Sequence, residues 1–242
     1  MPARPKKPDP FDLQPGRVLA GKYLVTGKLG VGTEGEVYAI TDRLTGVKRA
    51  AKLYYPDKDP KGRAAIAYAR KLDALRHCPI LLQYYHQEQI TLRRQKVNVV
   101  VSELVGGQML YHFLKRQPEG RLSVFEGLVL LHTLAAGLAP IHARGEYHGD
   151  IHDENVMIRR KGIGFEVKLL DFHDLGRPSR AKIQKDVLNL MQLFHGTLGG
   201  RETYATHPPV IKQIVRGLKD HLILQRFGSA VDIQRHLENL TW

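Results

Sequence analysis

Three glycines at a fixed spacing are the first residues in this sequence that could do chemistry. Gly30, Gly32 and Gly35 form a GxGxxG string. Because glycine has no side chain, backbone amides in such a string can close over phosphate groups without a steric clash. Dinucleotide-binding folds use the same string, but there the last glycine opens a helix. Here residues 36–40 (EVYAI) are β-branched and aromatic, which predicts a loop that caps a β-hairpin; a hairpin turn without a ligand stays the alternative.

A second polar string lies in the later half of the chain. Residues 148–155 read HGDIHDEN, and residues 169–173 read LLDFH. One interpretation is a zinc site built from His142, His148, His152 and the neighbouring aspartates. That interpretation is disfavoured because the expected loop, with a glycine after its first histidine, does not place two histidines on one face of a helix.

The order and spacing of these groups resemble the protein-kinase superfamily, over residues 21 to about 240. Lys52 follows two alanines on the strand predicted after the glycine string, and it resembles the third-strand lysine of protein kinases. Residues 148–155 resemble the catalytic loop HxDxxxxN. Residues 169–173 stand where the family has Asp-Phe-Gly.

The resemblance implies a role for each polar residue. Asp150 and Lys52 would be catalytic: Asp150 would accept the proton of the incoming hydroxyl, and Lys52 would contact the α- and β-phosphates. Asn155 and Asp171 would hold the metal, so ATP and Mg²⁺ are the implied cofactors. Asp186 would cap backbone amides of the catalytic loop.

The resemblance also implies a nucleotide site. Ser102 falls at the gatekeeper position, with the hinge after it. Val37 and Ala50 would enclose adenine from one side and Met157 from the other. The nucleotide-binding residues implied in this way are Gly30, Gly32, Gly35, Val37, Ala50, Lys52, Ser102, Glu103, Val105 and Met157.

One departure from the family concerns the partner of Lys52. Tyr68 falls where the family has the glutamate that pairs with it. The only acid within residues 60–87 is Asp73, which lies about 140° further around the predicted helix. Lys52 is therefore expected to lack its usual partner. Either Asp171 holds it, or this lobe is assembled differently.

Further departures from the family concern the residues that would bind the phosphate acceptor. Gly149 replaces the usual arginine, His152 replaces lysine or alanine, and His173 replaces the last glycine of Asp-Phe-Gly. Only 15 positions separate Asp171 from Asp186, and no Ala-Pro-Glu is present. The usual peptide-docking platform is therefore expected to be missing, and the string HGDIH is similar to small-molecule kinases.

Hydrophobic periodicity predicts the elements that must position these residues. The predicted elements are three antiparallel strands within 23–53, a helix over 62–76, strands near 83–90 and 97–104, a strand pair at 156–160 and 166–172, and helices near 186–198, 208–220 and 229–240. A further helix begins at Ser123, since Ser123 and Glu126 form a capping-box signature.

The resemblance and the element order together predict an α+β chain with a bilobal protein-kinase-like fold. A small antiparallel-sheet N-lobe is expected over residues 21–105, and a mainly helical C-lobe over 106–242. Residues 1–20, rich in proline and lysine, are expected to form a flexible tail.

Bulk composition limits the location and the partners. The chain has 242 residues, with 37 Lys and Arg against 24 Asp and Glu, a net charge of +13 that would attract acidic partners. Its basic residues are scattered without interleaved aromatics, which disfavours nucleic acid as the main partner. The only cysteine, Cys78, excludes an intrachain disulfide and indicates the cytoplasm. No export signal or membrane span is expected.

The function predicted from the sequence is ATP- and Mg²⁺-dependent phosphoryl transfer to protein Ser or Thr hydroxyls. Lys52, Asp150, Asn155 and Asp171 are all retained, which favours an active enzyme. Two alternatives stay open: a small-molecule kinase of the same fold, and a nucleotide-binding pseudokinase that acts as a binding module.

Overall fold

The alternating pattern of the first half of the chain forms a sheet, and the apolar stripes of the second half form helices. The computed structural model describes residues 9–172 and 176–241. The strands are β1 (Val18–Leu19), β2 (Tyr23–Val31), β3 (Gly35–Asp42), β4 (Lys48–Tyr54), β5 (Tyr84–Leu92), β6 (Gln95–Ser102), β7 (Gln108–Met109), β8 (Val156–Lys161) and β9 (Gly164–Leu169). The helices are α1 (Arg63–Ala74), α2 (Leu110–Lys115), α3 (Val124–His142), α4 (Arg180–Thr197), α5 (Gly200–Thr203), α6 (Pro209–Val215), α7 (Asp220–Arg226) and α8 (Ala230–Glu238).

Internal contacts divide the chain into two units. The first unit runs to Arg76 and resumes at Leu82–Val105, and it holds the six-stranded sheet and α1. The second unit consists of His77–Leu81 and the chain from Gly106 onward, and it is mainly helical. The predicted α+β class is thus confirmed. The predicted first lobe, 21–105, loses residues 77–81 to the second unit, because Leu169 N donates to Ile80 O at 2.8 Å.

The sheet of the first unit is antiparallel throughout, in the order β1-β2-β3-β4-β6-β5. One of its faces carries the main core of the unit. That core comprises Phe11, Leu19, Tyr23, Val25, Tyr38, Ile40, Ala51, Leu53, Tyr55, Leu92, Val97, Val99 and Val101. Helix α1 packs on the opposite face through a smaller cluster around Tyr54, Ala65 and Val100. The period of two along each strand separates these two clusters.

Helix α1 matches the predicted helix over 62–76 and buries Ala65, Ala69 and Leu72 as expected. Its start depends on a residue that the sequence did not single out. The carboxylate of Asp59, which is buried, accepts hydrogen bonds from the backbone of Ala64 at 3.0 Å and of Ala65 at 3.2 Å. This carboxylate replaces an N-cap side chain, because glycine occupies the N-cap position.

Residues 9–20 correct the prediction of a flexible tail over 1–20; residues 1–8 lie outside the described residues. Phe11 is buried in the core of the first unit, where its ring stacks on Tyr55 at 5.2 Å. The side chain of Arg93 donates to the carbonyls of Pro10 and Phe11. A prediction from proline content failed because it ignored the apolar area that one buried aromatic ring contributes.

The buried carboxylate of Glu36 is the main polar anchor of this N-terminal segment. It accepts hydrogen bonds from Phe11 N at 3.0 Å and from the hydroxyls of Tyr38 and Tyr55, and it pairs with Lys28 at 2.9 Å. Burial alone would raise the pKa of Glu36. The hydrogen bonds from Tyr38, Lys28 and Tyr55 outweigh that effect, so the pKa is lowered. Burial and the neighbouring Glu36 carboxylate raise the pKa of Tyr55 to about 12.

The second unit is built around α3, which begins at the predicted capping box: Glu126 N donates to Ser123 Oγ, and the Glu126 carboxylate accepts from Ser123 N. Ten α3 residues are buried. By length and composition alone, α3 is the one helix of the described chain that could cross a membrane, and half of its apolar window is buried. A buried core helix passes the same test, so α3 alone is weak evidence for a membrane span.

The helices after the catalytic loop differ in extent from their predictions. Helix α4 begins at Arg180, six residues earlier than expected. The helix predicted over 208–220 ends at Val215, because Arg216, Gly217 and Leu218 all have left-handed φ values between 52° and 62°. Helix α7 follows this break and was not predicted.

We expect Glu36→Gln to lower the free energy of unfolding by about 1.5–3 kcal/mol at pH 7, because it removes the charge that strengthens these hydrogen bonds. Since the folded pKa of Glu36 is lowered, the stabilisation is complete above the ordinary glutamate pKa and is lost as the pH falls through the folded value. Urea unfolding at several pH values should show the difference between variant and wild type shrinking in acid.

Glu88→Gln is the matched control. Glu88 lies on the same sheet but is partly exposed, where it pairs with Lys22. A surface pair contributes about 0–1 kcal/mol, so this variant should change stability by less than that. An equal loss in both variants would contradict the anchoring role of Glu36.

Candidate active site

The register of three strands places the predicted nucleotide-binding side chains of the first unit on one face of its sheet. Val37 pairs with Lys52, and Lys52 pairs with Val100. In the next row, Ala50 pairs with Ser102. Directly paired residues of antiparallel strands point to the same side, so these five side chains share a face. This is the face opposite the main core of the unit.

The glycine string caps the hairpin of β2 and β3, as predicted. A Cβ on Gly35 would collide with the carbonyl oxygen of Leu53, so the fold itself requires glycine there. Gly30 has no atom within 4 Å of such a Cβ, and Gly32 has only Gly35 O at 3.9 Å. Neither has a left-handed φ. The described fold gives no reason for glycine at positions 30 and 32, which leaves room for a ligand to approach the backbone.

Lys52 has neighbours in the first unit that the sequence analysis did not assign to it. Its Nζ lies 3.3 Å from Glu34 Oε2, in the glycine string, and 5.1 Å from the ring centroid of Tyr68. Tyr68 thus supplies a cation–π contact where the family has a glutamate. A carboxylate from the loop pairs with Lys52 in the first unit, and the expectation about its usual acidic partner on α1 stays a prediction.

The residues predicted as the hinge follow β6. Ser102, its last residue, is buried. Glu103 N donates to Gln83 O at 2.9 Å, which holds this segment against the chain before β5. Val105 is the last residue of the first unit.

In the second unit, the fully buried carboxylate of Asp186 binds the backbone of the catalytic loop. This carboxylate accepts hydrogen bonds from His148 N at 2.6 Å and Gly149 N at 2.8 Å. The predicted capping of the loop by Asp186 is confirmed. Because α4 carries Asp186, the helix positions the backbone immediately before Asp150.

His142 completes this arrangement and argues against the zinc alternative. Its Nδ1 accepts from Ala230 N at 2.9 Å, so Nε2 carries the proton and donates to Asp186 Oδ2 at 3.2 Å. Both ring nitrogens are therefore engaged. Within the described ranges, no three His, Cys, Asp or Glu side chains gather in a way that could hold a metal.

Asp150 is oriented by Asn155. The Asn155 amide donates to Asp150 Oδ2 at 2.9 Å and to the Asp150 carbonyl at 3.0 Å. His152 Nε2 lies 3.5 Å from the same carboxylate oxygen. About two fifths of the Asp150 side chain, 41%, remains exposed, so the carboxylate is held in place and still accessible.

Asp171 joins this group through the backbone. Leu170 N donates to Asn155 O at 2.8 Å, which brings the residue before Asp171 against Asn155. Asp171 is exposed and has a φ of 46°, a conformation that non-glycine residues adopt at a cost and that often marks a functional position. The ring of Phe172 packs on His148 at 4.7 Å. His173 lies outside the described residues.

The last predicted site residue of the second unit, Met157, is half-buried on β8, where it pairs with Met109 and Lys168. The structure thus brings Asp150, Asn155 and Asp171 together in the second unit. It places Val37, Ala50, Lys52 and Ser102 on one face of the sheet in the first unit. The roles assigned to these residues stay predictions.

Glu34 is the residue that sequence reasoning missed. It stands inside the glycine string, and the signal for it was present: an acidic residue in a loop expected to surround phosphates is electrostatically out of place. The motif was interpreted through its glycines alone.

Comparison with known proteins identifies a matching family and several relatives of this chain. The family model Protein kinase domain matches residues 23–197. Serine/threonine-protein kinase pkn2 of Myxococcus xanthus is 34% identical over 160 residues, covering 64% of this chain and 18% of that protein. CBL-interacting protein kinase 29 of Oryza sativa subsp. japonica is 30% identical over 165 residues, covering 65% and 36%. The chain therefore spans well under half the length of these relatives.

Solved structures show the same fold. A crystal structure of a double mutant of the Mycobacterium tuberculosis PknI kinase domain has a TM-score of 0.67 and 20% identity, covering 93% of this chain and 98% of that one. A second double mutant of that domain gives a TM-score of 0.68 at 21% identity. The predicted kinase fold is confirmed, and the family match over residues 23–197 establishes that this chain belongs to the protein kinase domain family.

Proposed function

We propose that this protein transfers the γ-phosphoryl group of ATP, with Mg²⁺, to Ser or Thr hydroxyls of proteins. The observation that carries the proposal is the grouping of Asp150, Asn155 and Asp171. The Asp150 carboxylate is held by the Asn155 amide and remains accessible, and Leu170, the residue before Asp171, donates its backbone N–H to Asn155 O.

The first unit supports ATP as the donor. Gly30 and Gly32 lack a structural need for glycine, so the backbone there can approach phosphates closely. Lys52 lies on the same sheet face as Val37 and Ala50. A cation beside an apolar surface fits a ligand with both charged and aromatic parts.

The carboxylate and amide oxygens of Asp171 and Asn155 fit Mg²⁺, a hard cation that takes oxygen ligands and would neutralise charge on the phosphates. Asp150 accepts the proton of the acceptor hydroxyl, and Asn155 keeps its carboxylate oriented. Lys52 binds phosphate oxygens once it exchanges the Glu34 carboxylate for them. Glu34 therefore competes with the nucleotide for the same ammonium group.

Protein hydroxyls are favoured as acceptors by the relative in Myxococcus xanthus, which is named a serine/threonine-protein kinase. The cytoplasmic location stays a prediction. A second candidate function is nucleotide binding without turnover, which Tyr68 favours because it stands where the family has the glutamate that pairs with the lysine.

Incubation of the purified protein with γ-labelled ATP and Mg²⁺, together with the protein or the small-molecule fraction of a cell extract, tests these functions. Label in protein Ser or Thr supports the proposal. Label confined to small molecules would indicate a small-molecule kinase, and nucleotide binding without transfer would indicate a binding module.

We expect Asp150→Asn to lower the rate of transfer by about 10²–10⁴, because it removes the general base. ATP affinity should remain nearly unchanged, since Asp150 acts on the hydroxyl. Parallel measurement of turnover and nucleotide affinity checks both expectations. Asp220→Asn, an exposed acid at the start of α7, is the control and should retain full turnover. Unchanged turnover in Asp150→Asn would remove this residue from the mechanism.

We expect Glu34→Gln to tighten ATP binding by about two- to fivefold, the range of a partly exposed ion pair worth up to about 1 kcal/mol. The variant removes the Glu34 carboxylate from beside the Lys52 ammonium group, and with it a negative charge near the phosphates. Titration of ATP into wild type, Glu34→Gln and Glu88→Gln measures the effect. Glu88 pairs with Val99, whose side chain belongs to the opposite face of the sheet, so its variant should bind ATP as the wild type does. Weaker binding by Glu34→Gln would show that Glu34 assists the nucleotide.

A further inference from the structure

A basic segment adjoins the catalytic loop in the second unit. Residues 176–185 read GRPSRAKIQK and contain four cations and no acid. We call residues 177–185 the basic run.

The two residues that flank the basic run, Gly176 and Asp186, are hydrogen-bonded to residues 147–149, at the start of the catalytic loop. At its start, the buried Tyr147 side chain donates from its hydroxyl to Gly176 O at 2.8 Å. At its end, Asp186 accepts from His148 N and Gly149 N. Tyr147 is only three residues before Asp150, and three residues of chain span at most about 11 Å. The basic run therefore lies beside the loop that carries the proposed base.

Three cations of the basic run face solvent, with no acidic partner among the residues that the structure describes. Arg177, Arg180 and Lys185 are exposed, and none forms an ion pair with any residue in the described ranges. Lys182 has a structural role, since its Nζ donates to Arg177 O and lies 4.9 Å from the centroid of the Tyr147 ring. The first turn of α4 contains no acid, so the positive end of the helix adds to the same potential.

We propose that the basic run recognises acidic side chains that flank the acceptor hydroxyl, so that the protein prefers Ser or Thr within acidic segments. This inference rests on the proposed function. An extended peptide advances about 3.3 Å per residue, so carboxylates two to five residues from the hydroxyl lie about 7–17 Å from it. That range suits cations placed beside the catalytic loop. Charge complementarity of this kind sets specificity more than total affinity.

The chemistry of the basic run favours an acidic peptide over nucleic acid. Single-stranded nucleic acid is bound by cations together with aromatic rings on which the bases stack. Residues 176–185 contain no aromatic side chain. The adjacent Tyr147 ring is buried and has the Lys182 ammonium beside it. A peptide carboxylate needs only the exposed cations.

The test uses synthetic peptides that share one Ser acceptor and carry Glu, Ala or Lys at the positions two to five residues on either side. Transfer efficiency, kcat/KM, and direct binding by fluorescence anisotropy are measured for each peptide with the wild type and with the double variant Arg177→Glu/Arg180→Glu. Both residues are exposed, and an acid in the first turn of α4 favours the helix, so the variant should fold. The control is Lys219→Glu/Arg235→Glu, with the same charge change at exposed residues of the same unit.

We expect the wild type to favour the Glu peptides over the Ala peptides by about tenfold, because several exposed ion pairs each add a small factor. Higher salt should reduce this preference. The double variant should lose or reverse it, and the control should keep it. Equal use of all peptides, a preference for Lys peptides, or an equal effect of the control would overturn the inference. The inference would also be overturned if an oligonucleotide displaced the bound Glu peptide more effectively than an excess of the same peptide does.

The two measurements separate this inference from the proposed function. One outcome is that the wild type binds Glu peptides preferentially, Arg177→Glu/Arg180→Glu loses that preference, and no peptide is phosphorylated. This outcome would support the role of the basic run in peptide recognition and refute protein phosphorylation. Transfer without an acidic preference would uphold the proposed function and refute the role of the basic run. Neither transfer nor selective binding would refute both.

Discussion

The buried carboxylate of Asp186 is the interaction on which the second unit of this protein depends. It binds two consecutive backbone amides of the catalytic loop and the ring of His142, and His142 in turn accepts from the first residue of α8. Hydrogen bonds to a charged group each contribute about 1.5–3 kcal/mol, and a buried carboxylate without partners would be strongly destabilising. Helices α3, α4 and α8 are thereby coupled to a loop that has little regular structure of its own.

The first unit has a different polar organisation from the one that the family resemblance implies. The ammonium group of Lys52 meets a carboxylate from the glycine string and the ring of Tyr68. An ion pair with Glu34, whose side chain is 49% exposed, is weak enough to be exchanged for phosphate oxygens, which a deeply buried pair would resist. Although Tyr68 stands where the family has an acid, the ammonium group of Lys52 still has neighbours. The negative charge beside Lys52 lies in a glycine-containing hairpin loop rather than on a helix.

The N-terminal segment shows a similar use of one carboxylate to order an irregular stretch. Glu36 lies on the core face of β3, where a charge is costly, and two tyrosine hydroxyls, an ammonium group and a backbone amide compensate for that cost. As a result, residues 9–13 cover the sheet although they form neither helix nor strand. Both units thus rely on a buried acid that accepts hydrogen bonds from the backbone of an irregular segment.

The sequence by itself determined the local elements and the positions of the motifs. Periods of two and of 3.6 residues identified the three strands within 23–53, the helix over 62–76 and the helix that begins at Ser123, because these patterns involve neighbours only a few positions apart. The relative order of Lys52, Asp150, Asn155 and Asp171 was also visible in the sequence. These features, together with the resemblance to protein kinases that the motifs carry, were sufficient to predict the fold class and the candidate site residues.

Only the tertiary structure decided which side chains meet across long sequence separations. Glu36 and Phe11 are 25 positions apart, and Arg93 and Pro10 are 83 apart. The pairing of Lys52 with Glu34 depends on how a hairpin loop folds over a neighbouring strand. The placement of the basic run depends on Tyr147, 29 positions before Gly176. No local pattern encodes such contacts, because each follows from the packing of elements that are distant in the chain.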